Sequence, residues 1–235
     1  LCALFVLFMF SDRIPEAFSL VFTHAFTPVA ASGGFAGAAV WAAMRYGVAR
    51  GIFSNEAGLG TAGIAQAAGM TRSPVRSALV GMMGTFIDTL IVCTMTGLMI
   101  LATNSFNVLG PDEESLLAEH VPGVEEGPAW VQIAIDEALP AFGPSFVAIA
   151  VFLFSFTTLL SFAFYAETNV AYLIPNKTAQ RAVIAVARLL LAGSMVFGSV
   201  QSSALVWAYA DFGVGLYTWV NILALVLLSP VAIRL

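Results

Sequence analysis

The sequence predicts an all-α membrane protein, and three observations carry that class. Sixty per cent of the residues are apolar and only 10% are charged. The mean hydropathy is +0.92, above what a water-soluble globular domain reaches. Uncharged apolar stretches long enough to cross a bilayer, about 20 residues each, recur along the whole chain. The chain opens Leu1-Cys2-Ala3 inside such a stretch, with no initiating Met or charged lead, so this segment reads as neither a signal peptide nor a natural start. A fragment of a longer protein is expected. Cys2 and Cys93 both lie in apolar runs, which excludes a disulfide framework and a cysteine metal cluster as organising features. The net charge of −5 is local, because eight of the fourteen acids fall between Asp112 and Glu137. It describes a loop and points to no partner, nucleic acid included.

The expected layout is one partial transmembrane domain over residues 1–235. Its approximate spans are 1–10 (truncated), 17–49 (broken near 32–37), 77–103, 140–166, 182–200 and 203–233, with a connecting loop over 104–139. Ser73-Pro74 reads as an N-cap and first helical residue, and Pro175-Asn176 closes the fourth span. Sidedness follows from the basic residues. Arg45, Arg50, Arg72 and Arg76 follow the second span, Lys177 and Arg181 the fourth and Arg234 the sixth, whereas Arg13 alone lies on the other side. The Arg45–Arg76 region is therefore expected in the cytoplasm and the acidic 104–139 loop outside. Within that loop Gly127 to Leu139 is apolar but too short to span. It reads either as a surface or re-entrant helix over the outer mouth or as a plain interfacial helix anchored by Trp130.

The second span carries the most chemistry. Ser32-Gly33-Gly34-Phe35-Ala36-Gly37 lies near its centre, and three glycines in five positions disfavour helix by about 1 kcal/mol each relative to Ala. Pro28 adds a kink nearby. The pieces on either side, about 15 and 12 residues, would each reach about 18–22 Å, so two half-helices could cross in tandem. A break at mid-membrane exposes N–H groups that suit a carboxylate and carbonyls that suit a cation, a device of secondary transporters. The competing reading is close helix packing, since Gly33 to Gly37 also fits G-x-x-x-G.

Elsewhere, Phe154, Thr157 and Thr158 place a carbonyl and two hydroxyls on one face of the fourth span, oxygens of the kind a hard monovalent cation takes. Bonds back to the preceding turn's carbonyls are the alternative use of those hydroxyls. Asp88 and Asp211 sit at membrane depth, as a proton or cation relay or as structural hydrogen-bonded carboxyls, with Arg188 the one cation at that depth. Glu167 lies nearer the cytoplasmic end, where solvation is expected. Trp207 reads as interfacial belt or pocket wall. Gly58-Leu59-Gly60-Thr61-Ala62-Gly63 spells a dinucleotide fingerprint without the strand or βαβ unit that would give it meaning. Asn176-Lys177-Thr178 matches a glycosylation site on the cytoplasmic side and reads as chance. No nucleophile and base pair stands out, and His24 and His120 are too far apart to suggest a metal site.

Phe26-Thr27-Pro28 through Gly33-Gly34-Phe35-Ala36-Gly37, followed by Arg50-Gly51-Ile52-Phe53-Ser54-Asn55-Glu56-Ala57-Gly58-Leu59-Gly60, resembles the alanine or glycine:cation symporter family. Pro74-Val75-Arg76, Phe86-Ile87-Asp88-Thr89, Phe156-Thr157-Thr158 and the spacing of Trp207, Asp211, Gly215 and Asn221 extend the resemblance over essentially the whole chain. It implies a leucine-transporter-like inverted-repeat fold, of which this chain holds the end of the fifth helix and the second five-helix repeat. The first repeat would be the missing partner. By the same resemblance Gly33, Gly34, Phe35, Ala36 and Gly37 contact the substrate, with Trp207 lining the pocket. Phe154, Thr157 and Thr158 form half of a sodium site, and Asn55, Glu56, Gly58 and Gly60 belong to a gate or hinge. The chain departs from the family pattern at Thr61-Ala62-Gly63-Ile64-Ala65-Gln66, where Ser-Ala-Pro-Ile-Ala-His is usual, and again from Ser161-Phe162 to Ala166-Glu167. The expected function is sodium-coupled symport of alanine or glycine across the inner cell membrane, with no cofactor beyond the coupling ion and no enzymatic chemistry. Proton coupling or another small solute is the nearer alternative, an ion channel the more distant one.

Overall fold

The computed structural model describes residues 1–26, 47–109, 116–125 and 127–233. Its helices are α1 (Cys2–Met9), α2 (Ile14–Phe26), α3 (residues 47–55), α4 (Thr61–Ala67), α5 (Pro74–Phe86), α6 (Thr94–Ala102), α7 (Pro128–Asp136), α8 (Gly143–Leu173), α9 (Lys177–Val200) and α10 (Ser203–Ala232). A π-helical stretch, Ile87–Cys93, joins α5 to α6 in one continuous helix. Four runs are long and apolar enough to cross a membrane: Pro74–Ala102, Gly143–Leu173, Lys177–Val200 and Leu205–Ala232. The chain is thus a predominantly helical, multi-pass membrane protein. The break expected near 32–37 lies outside the described residues.

The chain divides into two compact units. One holds Leu1–Val48 and Phe86–Phe154. Its core is Val6 and Leu7 of α1, Met99 of α6, Ala134 and Ile135 of α7, and Val147 of α8. The apolar stripe Val131, Ala134, Ile135 and Ala138 explains why α7 docks, since the spacing i, i+3, i+4, i+7 puts all four on one face. The indole N–H of Trp130 is buried with no hydrogen-bond partner among the described residues, unlike a headgroup anchor. The turn from α7 into α8 is fixed by chemistry the composition concealed. Asp136 Oδ1 accepts from the Gly143 N–H at 2.6 Å, which places an acid at the N-terminus of α8. At the end of α6, Arg13 Nη1 donates to the Ala102 carbonyl at 3.3 Å, a cation at a helix C-terminus.

The loop after α6 also contains an antiparallel hairpin that the sequence reading had not anticipated. Strands β1 (Asn107–Leu109) and β2 (Leu116–Glu119) pair with a bulge between Val108 and Leu109. Strands of three and four residues are too short to display an alternating pattern. Asn107 secures the return: its Nδ2 donates to the carbonyls of Val121 (2.9 Å) and Val124 (3.2 Å), and its Oδ1 accepts from the Val121 N–H at 2.9 Å.

The other unit holds Ala49–Thr85 and Ser155–Leu235. Helix α8 runs to Leu173, past the Ala166 end expected from hydropathy, and α9 begins at Lys177 rather than Ala182. Both extensions have a reason. Glu167 is a good helix former, so α8 runs on past it, and Arg188 of α9 pairs with it at 2.6 Å to Oε1. Asn176 caps α9, its Oδ1 accepting from the N–H groups of Thr178 (3.0 Å) and Ala179 (3.4 Å). Helix α5 starts at Pro74, as the Ser73-Pro74 pair suggested. Helix α4 lies against it through Gln66, whose backbone and side-chain oxygens are 3.2 and 3.0 Å from the Ser77 hydroxyl.

Candidate functional site

One face of α10 receives the glycine-rich segment that follows α3. Trp207, Asp211, Val214 and Asn221 are spaced by four, three and seven residues, so they share a helix face. Arg50 binds the first two. Its guanidinium carbon stands 3.9 Å from the centre of the Trp207 ring, and its Nη1 donates to Asp211 Oδ1 at 3.2 Å. Phe53, one turn on, meets Trp207 edge-on with ring centres 5.1 Å apart. An exposed ion pair of this kind contributes ~0.2–1 kcal/mol. Stacking a cation on indole contributes a further ~0.5–2 kcal/mol. Arg50, read as a loop cation, is in fact the partner of Asp211, and Arg188, the one cation noted near the aspartates' depth, pairs with Glu167.

Further along α10, Asn221 holds the turn at Gly58 to Gly60. Its Nδ2 donates to the Gly58 carbonyl at 2.9 Å. The turn needs left-handed backbone at Glu56 (φ 53°), Gly58 (φ 81°) and Gly60 (φ 87°). Glycine adopts that conformation freely, a glutamate does not. At Gly60 a second constraint applies, since a Cβ there would lie 2.9 Å from Asn221 Oδ1. Glu56 folds over the turn and accepts from the Thr61 hydroxyl at 2.5 Å, while Asn55 Oδ1 accepts from the Ala57 N–H at 3.1 Å. Asn55, Glu56, Gly58 and Gly60, singled out as a gate or hinge, therefore form one hydrogen-bonded turn seated on Asn221. Asn221 was noticed only for its spacing in the last span. Nothing in the sequence ties it to residues 163 positions away.

The turn, α8 and α10 together enclose a cavity of about 850 Å³. Glu56, Gly60 and Thr61 line it from the turn, Thr158 and Asn169 from α8, and Asn221 from α10. Of the candidate cation ligands on α8, Thr158 thus faces this cavity. The Thr157 carbonyl accepts from the Ser161 hydroxyl at 3.0 Å, a back-bond of Ser161 one turn on. Phe154 is 71% exposed. Trp207 does not line the cavity but reaches it through Phe53, which does. Gly33, Gly34, Phe35, Ala36 and Gly37 lie outside the described residues.

The cavity's wall offers carboxylate, hydroxyl and amide oxygens, groups that can hold a small polar solute or a cation. Comparison with known proteins agrees. The model of the sodium:alanine symporter family matches residues 1–235. The sodium/proton-dependent alanine carrier protein of Bacillus sp. strain PS3 is 37% identical over 92% of this chain and 48% of its own length. The sodium/alanine symporter of Methanococcus maripaludis is 36% identical over 99% of this chain and 47% of its own. A Bacillus subtilis relative named as a probable sodium/glutamine symporter is 36% identical over 97% of this chain and 43% of its own. The chain spans about half the length of the curated relatives it matches. These relatives are carriers and symporters, not enzymes, and they share its sequence from end to end: the chain belongs to the sodium:alanine symporter family.

Proposed function

We propose that the complete protein couples inward movement of sodium to uptake of a small neutral amino acid, alanine or glycine, by alternating access. The observation that carries this reading is the cavity in which Thr158 of α8 meets the Glu56–Gly60 turn and Asn221 of α10. A cation held on α8 and a turn with several left-handed residues share one space there, so occupancy of one is felt by the other. Such coupling is a difference in ligand affinity between two states and requires no reaction of the substrate.

In this reading the protein has a leucine-transporter-like inverted-repeat fold, with this chain as its second repeat and the first supplied by the missing half. Gly33 to Gly37 provide the unwound contact for the substrate and Trp207 a pocket wall. Phe154, Thr157 and Thr158 are half of a sodium site, and Asn55 to Gly60 are the hinge. The protein lies in the inner cell membrane with the 104–139 loop outside and the Arg45–Arg76 region inside. Liposomes carrying the complete protein should accumulate labelled alanine or glycine when sodium is high outside. Absence of accumulation under that gradient would overturn the reading. Proton coupling is a second reading, supported by the sodium/proton name of one relative. Uptake in sodium-free buffer driven by a pH gradient would establish it in place of sodium.

A further inference from the structure

The Glu56 position combines two features that nothing in the hinge reading requires. Of the three left-handed residues in the turn, two are glycine and the third is a glutamate. A non-glycine residue held there costs ~1–3 kcal/mol, so a glycine would serve the turn better. The glutamate's side chain must therefore be wanted, and the structure shows where it goes. Among the described residues Glu56 is the one acid that lines the cavity, and no Lys, Arg or His lines it. Phe162, Ala166, Val214 and Ala224 make much of the remaining wall apolar. A carboxylate on such a wall is the natural seat for a cation entering the cavity. The Thr61 hydroxyl engages one carboxylate oxygen, Oε2. Thr158 and Asn221 present further hard oxygens to the same space, the ligand type sodium takes.

We infer that this cavity is a second station for the coupling cation, with the Glu56 carboxylate as its charge and Thr158 as the oxygen it shares with the α8 half-site. The inference rests on the sodium-symport reading and adds a step to it: sodium leaving the α8 half-site passes to Glu56 before it is released.

The test uses the complete protein, purified and in liposomes, with three variants. Radiolabelled sodium binding without amino acid is measured first, then inhibition of uptake by sodium placed inside the liposomes. Glu56→Gln keeps the side chain's size and removes its charge. It should bind less sodium at saturation and should require roughly tenfold more internal sodium for half-inhibition, a change typical of coupled sites. Glu56→Asp, which keeps the charge, should restore both. Glu56→Gly removes the charge and relieves the left-handed backbone strain, and should lose sodium binding as Glu56→Gln does. Native sodium binding and native internal-sodium inhibition in Glu56→Gln would overturn the inference. So would native sodium binding in Glu56→Gly, because the charge would then be dispensable. If the unmodified protein takes up amino acid without sodium, the symport reading itself falls. Sodium-driven uptake with Glu56→Gln indistinguishable from it would remove only the second station.

Discussion

The narrowest fit in the Glu56–Gly60 turn is at Gly60. Its φ of 87° excludes most side chains, and a Cβ would press on Asn221 Oδ1 at 2.9 Å. Gly60→Ala should destabilise the turn by ~1–3 kcal/mol, seen as a lower thermal midpoint in detergent. Asn221→Ala should relieve the part of that loss due to contact, so the double variant should be less impaired than the two single effects added. At Thr157 the expected change is functional. Losing a hydroxyl that binds a charged ligand costs ~1.5–3 kcal/mol. Thr157→Val should then raise the sodium needed for half-maximal uptake by about tenfold or more, with substrate binding at saturating sodium nearly unchanged. An unaltered sodium dependence would assign Thr157 to helix packing. The residues of this site were legible as a motif because Arg50 to Gly60 is a long and unusual string. Their bonds were not. The departures at Thr61 and Gln66 land on specific contacts, to Glu56 and Ser77, that no composition or spacing could reveal.

Among the elements, α3 and α10 are tied by Arg50, which engages Asp211 and Trp207 together. If this tie acts as a unit, Arg50→Gln and Asp211→Asn should each lower uptake, and the double variant should lose little more than the worse single one. Helix α9 depends on its cap. Asn176→Ala should cost ~1 kcal/mol of stability, read from thermal unfolding in detergent. The glycosylation-like triplet thus has a structural use at its Asn. Gly143→Ala brings a Cβ to within 2.1 Å of the Gln132 carbonyl. The α7 to α8 turn must then shift, at ~1–3 kcal/mol, and the loop should become easier to cleave with protease. The long helices were legible because apolar length survives any change of partner. Their ends were less so: hydropathy stops at Glu167, whereas glutamate is a good helix former and the helix continues past it. The hairpin was not legible at all, since its strands hold too few residues to show a period and its stability comes from the bonds of Asn107.

For the whole molecule, most of the apolar surface of the four long helices faces outward, with no more than 11% of any membrane-length window buried. On the proposed reading, lipid and the other half of the carrier would cover it. The chain alone should therefore accumulate no alanine in liposomes, and expression together with the upstream half should restore uptake. Sidedness can be read directly. With Cys2 and Cys93 replaced by Ser, a cysteine at exposed Glu119 should react in intact cells with a membrane-impermeant maleimide, and one at exposed Arg72 only after the cells are opened. Setting Arg50 aside as a paired cation leaves that topology argument standing, because Arg45, Arg72, Arg76, Lys177, Arg181 and Arg234 still oppose Arg13 alone. The π-helical stretch Ile87–Cys93 bears on how such a chain can change in length. Each π turn closes its hydrogen bond over one more residue than an α turn does. Deleting one residue there would let the stretch tighten into ordinary α-helix with both flanks in their original orientation, so this span can lose a residue without re-aiming the side chains at either end.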